Sequence, residues 1–144
     1  MREDEGDSSL FKITNPRERT VKMKVAITSS GEDLNSPVDR VFGRARYFVI
    51  TDLEETNVEV LENSQNVNAA QGAGIQAARQ MADKSVNVIL TGNVGPNAFR
   101  ALDAVYIKVY QFESDVLTVR DALTAWKEGR LQEVKAPTAK GHGF

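Results

Sequence analysis

At 144 residues and a formal net charge of −2, the chain is long enough for one domain around a single core. Its balanced charge excludes general nucleic-acid binding, which shows as a basic surplus. It has no cysteine, so disulfides, thiolate ligands and thiolate nucleophiles cannot come from this chain. No apolar run approaches the roughly 18 residues of a membrane span.

Residues 1–22 are charged and lack periodicity, and their acids and bases cancel. We read them as a disordered extension. The opening Met1-Arg2-Glu3-Asp4 has no apolar core of a secretory signal, so the expected location is cytoplasmic. Residues 23–134 form the expected domain and 135–144 a flexible tail.

Val25 to Thr28 reads as a buried first strand ending in a Ser29-Ser30-Gly31 turn. Glu32 to Arg44 is polar, carries Pro37 and Gly43, and reads as a loop. Tyr47 to Thr51 is a second strand, and Asn57 to Leu61 alternates as a third. Their short connection implies an antiparallel hairpin. The period then changes, with Ile75, Ala78, Met81 and Ala82 forming a helical stripe. Val86 to Leu90, apolar apart from Asn87, is suited to a central strand. Gly95-Pro96-Asn97 opens a second helix, because proline suits the first helical position. Val105 to Tyr110 reads as a strand. Thr118 and Asp121 cap a last helix whose core face is Val119, Ala122, Leu123 and Trp126, and Gly129 ends it. From Glu133 onward the chain reads as a tail. The order β-β-β-α-β-α-β-α predicts an α/β fold, a mixed five-stranded sheet with helices packed on it.

Three glycine turns are candidate binding elements: Ser30-Gly31, Gly72-Ala73-Gly74, and Gly92-Asn93-Val94-Gly95. Ligands of open α/β sheets settle at the carboxyl ends of strands. Helix N-termini present unpaired N–H groups and favour anions. The same turns also suit plain chain reversal. Gly72 to Ala77 matches the dinucleotide fingerprint literally. It follows a long polar stretch instead of a strand, however, and the next strand ends in Leu90-Thr91-Gly92 where an acid would hold a ribose. Arg40 and Arg44 lie in the dense segment from Asp39 to Ala45, where they can face an anion or pair with Asp39. His142, the one histidine, can ligate a metal such as iron or be an inert tail residue. No nucleophile–base pair suggests catalysis.

Ser30-Gly31, Asp39-Arg40-Val41-Phe42-Gly43-Arg44-Ala45, Gly72-Ala73-Gly74 and Thr91 to Ala98 together resemble the dinitrogenase iron–molybdenum cofactor biosynthesis family, the NifX-like proteins, from Met23 to the end. The resemblance implies a five-stranded mixed sheet with a ribonuclease-H-like arrangement. It also implies a non-catalytic carrier of an anionic iron–sulfur or iron–molybdenum cluster or its precursor, working with donor and acceptor proteins. Ser30, Gly31, Arg40, Arg44, Gly72, Gly74, Gly92, Asn93 and Gly95 are its expected cluster contacts, and His142 its expected metal ligand. Two other readings stay open. One is a small enzyme or sensor for a phosphometabolite or nucleotide; the other is a protein–protein adaptor.

Overall fold

The computed structural model describes residues 23–63 and 72–138. The 1–22 segment, the stretch 64–71 and His142 lie outside the described residues. In chain order the elements are β1 (Val25–Ser29), a 3₁₀ turn (Phe42–Arg44), β2 (Tyr47–Thr51), β3 (Val58–Glu62), α1 (Ala73–Asp83), β4 (Val88–Thr91), α2 (Pro96–Ala104), β5 (Lys108–Gln111), α3 (Val119–Lys127) and β6 (Gln132–Glu133).

These strands form one six-stranded sheet in the order β3-β2-β1-β4-β5-β6. β1 pairs antiparallel with β2 and parallel with β4, while β2 and β3 form the expected hairpin. β1 is buried along its whole length because it has a neighbour on each side and helices over each face. Alternation sorts the core into two layers. Ala26, Phe48, Ile50, Ile89 and Val109 face α1 and α2, whereas Val25, Ile27, Val49, Val88 and Leu90 face α3. Phe42 and Phe48 anchor the first layer with ring centroids 5.3 Å apart. Burying each such side chain contributes roughly 1.5–3 kcal/mol.

The sheet has six strands where the sequence reading has five. The sixth, Gln132–Glu133, is two exposed polar residues joined antiparallel to β5, and so short a polar edge has no alternation to betray it. The ordered chain also continues past it. Val134 N–H donates to Val109 C=O at 2.7 Å, and Thr138 N–H donates to Val94 C=O at 3.0 Å. The side chain of Thr138 in turn accepts from Val94 N–H at 2.9 Å. Residues 134–138 therefore run as a strap from β5 to the start of α2.

All three helices end in a six-residue turn that satisfies their last carbonyls through a left-handed residue. In α1 this residue is Ser85 (φ 60°), in α2 Tyr106 (φ 63°) and in α3 Gly129 (φ 75°). Tyr106 N–H bonds Asp103 C=O and Ile107 N–H bonds Leu102 C=O, at 3.1 and 3.0 Å. Val105 and Tyr106 thus close a helix, and the strand starts at Lys108, later than their strand-forming side chains predict.

Candidate functional site

The carboxyl ends of the parallel strands β1 and β4 share one rim of the sheet, and the three glycine turns all meet that rim. There Thr28 Oγ1 donates to Asp39 C=O at 2.6 Å and lies 3.1 Å from the hydroxyl of Thr91, tying both strand ends to the following loop. Phe42 N–H donates to Asn93 C=O at 3.0 Å, and Val41 bridges Asn93 in parallel. Gly92 lies against Arg40, whose carbonyl oxygen would be 2.6 Å from an added Cβ. The segment from Asp39 to Arg44 is therefore laid across the ends of both strands.

One small cleft opens on the α1–α2 side of this rim. Gly43, Gly72, Gly74, Gly95, Pro96 and Asn97 line it, with Val41, Ile75 and Ala98. It encloses about 20 Å³, room for about one water molecule. Its shape follows from close backbone approach. An added Cβ on Gly43 would lie 2.9 Å from Gly74 N, and one on Gly74 would lie 2.7 Å from Ala98 Cβ. These glycines bring the 3₁₀ turn, α1 and α2 to van der Waals contact. Gly72 begins α1 in a left-handed conformation (φ 78°).

Two helix N-termini thus meet at the cleft, and neither is closed by a side-chain cap or carries an acid in its first turn. At α3 the arrangement is the opposite. The Thr118 side chain accepts from Asp121 N–H at 3.1 Å, and the Asp121 carboxylate accepts from Thr118 N–H at 3.2 Å, completing the expected capping box. The cleft therefore presents positive partial charge from α1 and α2 with no protein carboxylate in either first turn to satisfy it. On α2, Arg100 donates to the cleft-lining Asn97 Oδ1 at 2.5 Å, which sets a cation one turn from the mouth.

Among the expected site residues, Gly72, Gly74 and Gly95 come together in the cleft. Gly92 and Asn93 form the floor loop beside it, and Arg44 directly follows Gly43. Ser30, Gly31 and Arg40 do not line the cleft. Ser30 N–H donates to Pro37 C=O at 2.9 Å, and Gly31 packs on the Ser36 side chain, in a loop whose Leu34 and Val38 belong to the α3 layer. The guanidinium of Arg40 donates to Glu113 C=O at 3.0 Å and to Val116 C=O at 2.8 Å, and lies 5.5 Å from the Phe112 ring centroid. Its charge holds the loop after β5.

Several residues had no sequence signal. Asn63, 1% exposed, donates its amide to Ala45 C=O at 2.8 Å and secures the turn that carries Gly43. Gly43 and Asn97 were visible as turn residues, but their convergence was not. Tyr47, at the rim end of β2, has its phenol pKa raised chiefly by the charge of Glu32, then by burial, by the hydrogen bond its phenol donates to Glu32 and by the charge of Glu62, with Arg46 opposing. A wider hollow of about 550 Å³ lies at the other end of the sheet, beside Lys24, Asp52 and Glu59. Its groups are already engaged: Asp52 accepts from Thr56 N–H at 2.8 Å, and Glu59 pairs with Lys84. Size alone does not make it the site. Among the described residues, no three His, Cys, Asp or Glu side chains gather as a metal-binding group, and no helix is long and apolar enough to cross a membrane.

The model of the family described as dinitrogenase iron-molybdenum cofactor matches residues 23–129. The apo form of the orange protein from Desulfovibrio gigas is similar over 83% of this chain and 98% of its own, with 38% identity and a TM-score of 0.77. A Thermotoga protein solved by NMR and provisionally named NifB is 44% identical over 83% of this chain and 99% of its own, with a TM-score of 0.71. An uncharacterised protein of Methanocaldococcus jannaschii is 28% identical over 77% of this chain and 91% of its own.

Proposed function

Because the chain belongs to the dinitrogenase iron–molybdenum cofactor family, we propose that it is a non-catalytic carrier whose cargo is an anionic iron–sulfur or iron–molybdenum cluster or its precursor. The observation that carries the reading is the meeting of two uncapped helix N-termini over Gly43, Gly74 and Gly95. The strand order supports the ribonuclease-H-like description that goes with the family.

The magnitudes favour a carrier over a permanent holder. Micromolar affinity needs about 8 kcal/mol. Two helix N-termini supply at most about 2 kcal/mol each. A cleft enclosing about 20 Å³ touches one edge of a cluster and leaves the rest open to an acceptor protein. The remainder has to come from a direct metal bond or from a partner. The sequence reading offers His142 for such a bond. In this reading Gly72, Gly74, Gly92, Asn93 and Gly95 supply backbone contacts, Arg44 supplies charge and His142 supplies a metal bond. Ser30, Gly31 and Arg40 support the rim. Donor and acceptor proteins complete the cycle, in the cytoplasm.

The test is anaerobic reconstitution with an iron–sulfur or iron–molybdenum cluster, followed by desalting. Asn97→Asp adds a negative charge to the first turn of α2. It should leave the fold as stable or more so, yet reduce retained metal several-fold; His142→Ala should also reduce it. Retention unchanged in both variants, or a melting shift with nucleotides and none with a cluster, would overturn the reading in favour of the nucleotide or phosphometabolite alternative. No shift with either would favour the adaptor.

A further inference from the structure

We propose that the C-terminal end of α2 is a self-association surface, on which Tyr106 of one copy enters the hollow between α2 and the β5–β6 edge of a second copy across a two-fold axis. Tyr106 occupies the left-handed position that closes α2, where glycine is favoured and an aromatic residue is strained. Tyr106 is 91% exposed, and Val105 beside it is also exposed. An aromatic ring held outward on a strained turn adds nothing to the core of its own chain.

Beside it lies a hollow of about 310 Å³, with Phe99, Ile107, Val134 and Tyr106 itself among its walls. It is large enough for one aromatic side chain. One patch therefore carries both an exposed ring and a recess with an apolar wall and a charged rim, which suits an isologous two-fold contact. The charges around the recess point to the same occupant. Asp103 and Glu133 are matched in number by Lys108 and Lys135, so the surface selects no strongly charged partner and its acids can meet its own bases in a second copy. Tyrosine is also the type of residue that dominates such contacts, with a large apolar body and a polar tip. The patch lies at the far end of α2 from Gly95, so association leaves the glycine cleft open.

The test is light scattering on the full chain from micromolar to millimolar concentration, with Tyr106→Gly and Tyr106→Phe beside the parent. The parent should pass from monomer to dimer as concentration rises. Tyr106→Gly should raise the dissociation constant about tenfold or more. Its dilute monomer should nevertheless melt higher, because glycine relieves the left-handed turn. Tyr106→Phe should keep the association. A parent that stays monomeric throughout, or a Tyr106→Gly variant that associates as well as the parent, would overturn the proposal.

Discussion

Replacing Gly74 with alanine tests the packing that shapes the cleft. The new methyl would lie 2.7 Å from Ala98 Cβ, on the facing helix. Carbon atoms rest about 3.5–4.0 Å apart, so α1 and α2 must separate by roughly an ångström at their N-termini. Overpacking of this kind costs about 1–3 kcal/mol. Alanine recovers about 0.5–1 kcal/mol as the better helix former, leaving a net loss of about 0–2.5 kcal/mol. Ala98→Gly removes the opposing methyl, and alone it costs about 1 kcal/mol in helix propensity. Combining the two moves a single methyl across the contact. The double variant should therefore be more stable than the sum of the singles by about 1–2 kcal/mol. Urea denaturation of all four proteins reads this coupling. A stable Gly74→Ala single variant, or strictly additive losses, would refute the idea that bare backbone contact sets the cleft.

Four further outcomes follow from the same geometry. Thr118→Ala should lose about 1 kcal/mol in urea unfolding, because it opens the capping box of α3. Arg40→Ala should speed amide exchange in residues 113–117, whose carbonyls at 113 and 116 it holds, while leaving cluster retention near the parent value. Ser85→Gly should stabilise by a few tenths to about 1 kcal/mol, since the left-handed turn after α1 is unstrained with glycine. Glu32→Gln should lower the titration midpoint of Tyr47, read by NMR of labelled tyrosine, because the Glu32 charge is the main cause that raises it. The sign is definite. A raised folded pKa favours the fold below the ordinary tyrosine value of about 10, and that contribution is lost as pH rises through the folded value.

Much of the framework was legible in the residues. The runs Val25–Thr28, Tyr47–Thr51 and Val86–Leu90 are apolar and largely β-branched or aromatic, and each contains an observed strand or most of one. The cap of α3 was readable because Thr118 and Asp121 are local partners. Distant pairings were not readable. Gly43 against Gly74, Thr138 against Val94 and Arg40 against the 113–116 carbonyls join residues far apart in sequence, and nothing in any local segment announces them. Tyr106 misled for a different reason. Val105-Tyr106-Ile107 has the side chains of a strand, but the orphan carbonyls at the end of α2 outweighed that preference. Arginine in a glycine-rich loop suggested a ligand contact, yet Arg40 found carbonyls of its own chain first.

If the chain carries cargo as proposed, the parallel pairing of β1 with β4 determines when it can do so. Ile27 pairs with Leu90, and Thr28 meets Thr91, although the partners are far apart in sequence. Such distant closures form slowly, because chain entropy is lost before any contact repays it. On the carrier reading, half-made chains then have no cradle, and only a finished molecule would be filled. Filling in turn holds the finished form against opening, by an amount that grows with the logarithm of cargo concentration.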